Sequence, residues 1–140
     1  MTQLISTSQA PDAKPIGLSK TLGSDWTVLI EVPSYLVPEE SFGGGEVEVP
    51  GVAEIISPLF ITNKTVNTVN FDLRVFRAEA NTHFTIVDEL PILAKDVFFL
   101  PLNGQFIHTG DILEARCGTA EAIDIMISYT VGQAEQDDVV

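Results

Sequence analysis

Two histidines, one cysteine and twenty carboxylates are the groups of this 140-residue chain best suited to chemistry. A hydrolase of the acyl-transfer kind needs a nucleophile, a histidine within reach of it, and a carboxylate to orient the ring. Only His83 and His108 could act as the base, no G-x-S-x-G elbow is present, and both fall at the ends of expected strands, where an imidazole faces solvent. With Cys117 they could in principle bind zinc, but the three lack the close ligand pairs that zinc sites use. Asp88 with Glu89, and Asp111 with Glu114, suggest acid-base work or calcium. Twenty carboxylates make such pairs inevitable, Asp88 and Glu89 would point to opposite faces of an extended segment, and no EF-hand spacing occurs. Gly43-Gly44-Gly45 could approach a ligand closely, yet no lysine-bearing phosphate loop surrounds it. The sequence therefore predicts no catalytic residue, no metal ligand and no cofactor, in a protein that is not an enzyme.

The remaining chemistry is that of a scaffold. The length allows one domain with a real core. Seven Lys and Arg against twenty Asp and Glu give a formal charge of -13, which repels nucleic acid and anionic membranes and keeps free copies apart. A single cysteine excludes an internal disulfide, so packing must hold the fold, and Cys117 reads as a small buried strand residue. The stretch MTQLISTSQAPDAKP lacks the basic start and long apolar run of a secretory signal, and no apolar run is long enough to span a bilayer. Synthesis in a cytoplasm is the expectation, and Asn63-Lys64-Thr65, although it matches a glycosylation acceptor, is discounted on that ground.

Residues 1–22 mix Ser, Thr, Gln, Pro and Ala without period, and Pro11 and Pro15 oppose regular pairing, which predicts an extended N-terminal arm. Its apolar residues Leu4, Ile5, Ile16 and Leu18 could order against a partner. From Trp26 to Val32 the chain alternates, with Trp26, Val28, Ile30 and Val32 on the core face. Residues 34–50 carry prolines, the glycine triplet and glutamates, predicting a long loop with at most a short strand at 46–49. Ala53 to Asn63 reads as a strand in which Pro58 requires an edge or a bulge. Phe60 to Arg77 reads as a hairpin turning at Asn63 to Asn67. The run Val97 to Leu100 is apolar on both sides, predicting a strand covered on both faces, and Asn103-Gly104 signals a second hairpin. Ile123, Ile125, Ile127, Tyr129 and Val131 alternate with polar partners, and residues 133–140 form an acidic tail. Closely spaced strands without helices predict an all-β domain over 23–132, a single antiparallel two-sheet β-sandwich of jelly-roll type. Leu29 and Phe76 fall on polar faces, so with Leu4, Ile5, Ile16 and Leu18 they are the predicted protein-interface residues.

The order of features carries a resemblance. A strand ending in Val32-Pro33 precedes one ending in Asn63 before a Thr-rich turn (Thr65, Thr68), then an alternating strand with Arg74, a Gly110-Asp111 opening and an Ile127-Ser128-Tyr129 strand. This resembles the small β-sandwich virion proteins of tailed bacteriophages, particularly structural proteins of marine phages, over roughly residues 26–133. The resemblance implies a virion structural protein, foremost a capsid decoration or cement protein, with a neck, tail or baseplate accessory next. Its partners would then be the major capsid protein or neck and tail proteins, together with further copies of itself. The long 34–50 loop departs from the simplest members, which turn tightly there. A carbohydrate-binding sandwich for host attachment is the other class to weigh, although Trp26 and Tyr129, assigned inward, leave few aromatic platforms.

Overall fold

Alternation of apolar and polar residues, broken at a few defined points, shapes the computed structural model, which describes residues 14–38 and 45–134. The strands are β1 (Lys14–Thr21), β2 (Thr27–Glu31), β3 (Tyr35–Pro38), β4 (Glu46–Val49), β5 (Gly51–Ile55), β6 (Leu59–Asn63), β7 (Val69–Arg77), β8 (Thr82–Ile92), β9 (Val97–Leu100), β10 (Phe106–His108), β11 (Ile112–Cys117) and β12 (Ile123–Gln133). The fold is all-β with antiparallel pairing, and no helix occurs among the described residues. A six-stranded sheet holds β1, β12, β5, β6, β9 and β10; a four-stranded sheet runs β2-β11-β7-β8; β3 and β4 form a separate pair within the expected long loop.

The six-stranded sheet is built on β12. Along one side β1 pairs with it from Lys14 to Thr21. The described part of the expected arm is thus a strand, and Pro15 is tolerated because an edge strand has one side free of partners; residues 1–13, with Leu4 and Ile5, lie outside the described residues. Along the other side β5 and β6 lie end to end, joined through Ile56, Ser57 and Pro58. The expected single strand from Ala53 to Asn63 is thus divided in two at Pro58, where Ser57 Oγ accepts the Ser128 N–H at 2.9 Å. Beyond them β10 pairs with β5 and β9 with β6. Asn103-Gly104 therefore makes no hairpin. Gly104, at φ +87°, kinks a line that continues in the same direction, and its N–H donates to Ile55 O at 2.8 Å. Such breaks bend and twist strands, and both sheets are partly curled.

The expected Phe60 to Arg77 hairpin is also corrected. β6 and β7 never pair, because β6 lies in the six-stranded sheet and β7 in the four-stranded one. The link between them crosses from sheet to sheet, and Asn63, only 1% exposed, organises it. Its Nδ2 donates to Asn67 O (2.7 Å) and Ile92 O (2.9 Å), while its Oδ1 accepts from the N–H (2.9 Å) and hydroxyl (2.8 Å) of Thr65. A buried amide with both ends satisfied fixes the crossing, and its nitrogen is closed to any modification.

The core draws on both sheets. Ile55, Leu59, Ile61, Ile123, Ile125 and Ile127 join Ile30, Phe71, Leu73, Val75, Leu113 and Ala115 in one buried cluster. Each full burial of such an aliphatic or aromatic side chain contributes about 1.5–3 kcal/mol. Leu29 belongs to this cluster at 4% exposure and is not an outward residue. In the β2–β11 ladder Leu113 faces Ile30 and Glu114 faces Val28, which leaves Leu29 as an extra residue. That bulge turns Leu29 and Ile30 to the same side and exposes Val28.

Candidate functional site

Three surfaces gather the side chains that could act on something. The first is a cleft of about 930 Å³ between the β7–β8 turn and the segment from Gly104 to Asp111. Val75, Ala78, Phe84 and Phe106 supply apolar lining, while Glu79, Gln105 and His108 supply polar groups. Its anchor is Asp111, 5% exposed. The carboxylate accepts from Ala78 N–H at 2.9 Å, His108 N–H at 3.0 Å and Arg77 Nη1 at 3.0 Å, and Arg77 Nη1 also donates to Phe106 O at 2.8 Å. Burial alone would push Asp111 up, but the two N–H donors and the guanidinium outweigh it and hold the carboxyl below its usual range. Gly110 sits at φ +93°, and a Cβ there would lie 2.8 Å from Ala78 Cβ. The Gly-Asp pair thus clasps two turns together.

His108 Nδ1 lies 3.8 Å from Asp111 Oδ2, which supplies two members of a relay. Thr109 Oγ1, the hydroxyl lining the same cleft, donates to Pro33 O at 3.0 Å and accepts from Gly51 N–H at 2.6 Å, so it is committed to holding backbone.

The second surface is the outer face of the four-stranded sheet. Arg74 Nε meets Glu114 Oε1 at 2.5 Å, Arg116 Nε meets Asp72 Oδ2 at 3.1 Å, and His83 Nε2 stands 3.6 Å from Glu114 Oε1. The two arginine pairs are directly opposed in the β7–β11 ladder, and His83 reaches Glu114 from β8. Trp26, expected in the core, belongs here instead: the guanidinium carbons of Arg74 and Arg116 lie 3.9 and 4.4 Å from its ring centre. Phe76 is partly covered by His83, its cross-strand neighbour, with ring centres 5.1 Å apart.

The third surface is the outer face of the six-stranded sheet. There Met126, Phe60 and Phe99 stand opposite one another on β12, β6 and β9, forming an apolar row across three strands. Phe60 and Phe99 pack at 4.9 Å, yet Phe99 remains 59% and Met126 48% exposed. Val97 lies beside them, and Phe98 is exposed as well. β9 is therefore an exposed edge strand and not one covered on both faces. Sequence reasoning missed this row, although the continuous apolar run that betrays it was visible.

The predicted interface residues do not form one patch. Ile16 and Leu18 are half-buried in β1 opposite Tyr129 and Ile127, on the core side of the six-stranded sheet. Leu29 is buried and Phe76 half-covered in the other sheet, while Leu4 and Ile5 lie outside the described residues. Cys117 is buried in β11 as expected, its Sγ 3.0 Å from Thr119 O, and burial pushes the thiol up. Among the described residues no three His, Cys, Asp or Glu side chains gather to hold an ion. Nor is any helix of those residues long and apolar enough to cross a membrane. Of the glycine triplet only Gly45 is described, and of the acidic tail only Gln133 and Ala134. Comparison with family models, curated proteins and solved structures finds no match for the chain.

Proposed function

We propose that the chain is a structural component of a bacteriophage virion, foremost a decoration or cement protein on the capsid shell, and next a neck, tail or baseplate accessory. In this reading the two antiparallel sheets stack as a β-sandwich of jelly-roll type, and the protein acts by being docked and not by catalysis. The observation that carries it is the apolar row of Met126, Phe60 and Phe99 beside the bare β9 edge. A chain of charge -13 that leaves such a surface open is suited to a partner that covers it. Weak contacts suffice on a particle, because many symmetry-related copies add avidity. The partners would be the major capsid protein or neck and tail proteins. The test is quantitative protein analysis of purified particles. A fixed ratio of this chain to the major capsid protein supports the reading, and absence from washed particles ends it.

The cleft favours a second reading, host attachment through a glycan. Phe84, 48% exposed, offers a ring face beside Glu79, Gln105 and His108, the combination of platform and polar groups that sugars need. Trp26 does not strengthen it, since its ring is already engaged by two guanidinium groups. Binding on a glycan array that is lost in Phe84→Ala would establish this reading, and a blank array would remove it.

A further inference from the structure

We propose that β9 is a self-pairing edge: two copies of this chain join antiparallel along it, with Phe99 on the two-fold axis. The proposal deepens the docking reading by naming an occupant, and it holds for the isolated protein whether or not that protein belongs to a particle.

Edges of sheets display unpaired N–H and C=O groups, and proteins guard them with proline, lysine, bulges or short length. The edges of the two larger sheets differ in this respect, and β10, which continues the β9 line, is only three residues long. β1 carries Lys14, Pro15 and Lys20. β2 is broken by the Leu29 bulge. β8 shifts register twice against β7, holds Glu89 at φ +54° and ends near Pro91. β9 is short, but its Val-Phe-Phe-Leu has no charge, no proline and no bulge.

The backbone orientation of β9 follows from its ladder. Asn63 N–H donates to Asp96 O at 2.9 Å, so by antiparallel alternation Asp96, Phe98 and Leu100 bond toward β6. The main-chain groups of Val97 and Phe99 consequently point away from the sheet. The Val97 N–H is already taken by Asp96 Oδ1 at 2.9 Å, and Pro101 has no N–H to offer. Phe99 is left as the one residue of the strand with both a donor and an acceptor turned outward.

A residue in that situation fits a copy of itself. With the two-fold axis perpendicular to the sheet, Phe99 of each copy donates its N–H to the other's C=O, closing one hydrogen-bonded pair on the axis. The same operation keeps outer face with outer face. The row Met126, Phe60, Phe99 then continues as Phe99, Phe60, Met126 of the second copy, and the apolar stripe becomes twice as long and closed at its centre. A charged partner strand would gain nothing from this edge, and a strand of another register would interrupt the row. A strand of four residues offers little area beside the roughly 800 Å² per partner of a standard interface, so the pairing is weak in dilute solution. Two copies of charge -13 also repel, which sets the sign of the salt effect: screening strengthens the pairing.

Sedimentation equilibrium of the full chain tests this, at low salt and at about 0.5 M salt, where screening lengths fall below roughly 5 Å. The wild-type mass rises with concentration from 15.2 kDa toward about twice that value, and more steeply at high salt. Phe99→Glu places like charges face to face on the axis and raises the dissociation constant at least tenfold. Ile86→Glu, an apolar-to-acidic change at an exposed position of the β8 edge, leaves it within twofold. Circular dichroism of both variants establishes that they fold; if Phe99→Glu does not, Phe99→Thr replaces it, with the same tenfold threshold. A wild-type chain that remains monomeric at about millimolar concentration and high salt overturns the proposal. So does equal association of the Phe99 variant and wild type, or equal loss in both variants. A protein that dimerises as described but is absent from particles overturns only the virion reading.

Discussion

The outer faces of the two larger sheets belong to one small molecule and are dressed in opposite ways. On the four-stranded sheet, Arg74, Glu114, Arg116 and Asp72 pair across strands, with Trp26 under the guanidinium groups. On the six-stranded sheet, the corresponding positions in mid-strand are Met126, Phe60 and Phe99. The ion-paired face already satisfies its own groups, so a partner would have to break bonds to use it. The apolar face satisfies nothing until something covers it. Charge distribution alone would not reveal this difference, because the whole chain is acidic; the pairing of each charge does.

Both faces depend on the crossing that carries the chain from one sheet to the other, and removing its anchor is the largest perturbation the comparison allows. Asn63→Ala would leave the Ile92 carbonyl and the Thr65 N–H without this partner, and the Asn67 carbonyl with the Thr65 hydroxyl alone. At about 1–3 kcal/mol for an orphaned buried group, a net loss of roughly 3 kcal/mol in urea unfolding is expected. If the loss is below about 1 kcal/mol, water reaches the crossing and the two faces are less rigidly joined than the buried amide implies.

The clasp at Asp111 comes next. Its carboxyl is depressed in the folded state, so its contribution is present in full above the ordinary value of 3.8 and is lost as pH falls below that toward the folded value. Asp111→Asn puts an amide donor where one N–H now donates, at a cost of about 2 kcal/mol near neutral pH. The variant should also lose part of the wild type's destabilisation on acidification from pH 5 to pH 2, measured by thermal unfolding. An unchanged acid limb would mean that other carboxylates, Asp124 among them, carry it. Asp124 is lowered first by the Thr21 hydroxyl and then by Lys64.

These two anchors also mark what the sequence could and could not disclose. Strand positions were legible because alternation is local: Ile123, Ile125 and Ile127 announce their face without reference to the rest of the chain. Partnership was not. A polar turn after Ile61 reads the same whether the next strand pairs with the last or crosses to another sheet. What decides is that β6 finds β12 and β9, both distant in sequence. Gly110-Asp111 was visible as a turn, but its bonds to Ala78 and Arg77 needed the fold. Alternation with Val28, Ile30 and Val32 assigns Trp26 to the core, since the guanidinium groups that hold it outside arrive on later strands. Leu29 is misplaced by a single bulged residue, which turns Trp26 and Val28 off the expected core face while Ile30 and Val32 stay on it. The apolar run of β9 reads as doubly covered and is an open edge among the described residues, because hydrophobicity on both sides of a strand does not say whether a neighbour lies against it.

The smallest expected effect separates the two faces most cleanly. Arg74→Ala removes a partly exposed ion pair and one guanidinium over Trp26, so it should cost about 0.5–1 kcal/mol of stability, less at high salt, and leave self-association unchanged. Met126→Thr removes an exposed side chain, so stability should move by less than about 0.5 kcal/mol while association weakens. The two substitutions are thus expected to dissociate: one moves unfolding and not mass, the other mass and not unfolding. Salt sharpens the contrast, since screening weakens the ion pair and strengthens apolar association between acidic copies. If Arg74→Ala disturbed association as much as Met126→Thr, the ion-paired face would be part of the docking surface, and the division between a finished face and an unfinished one would fail.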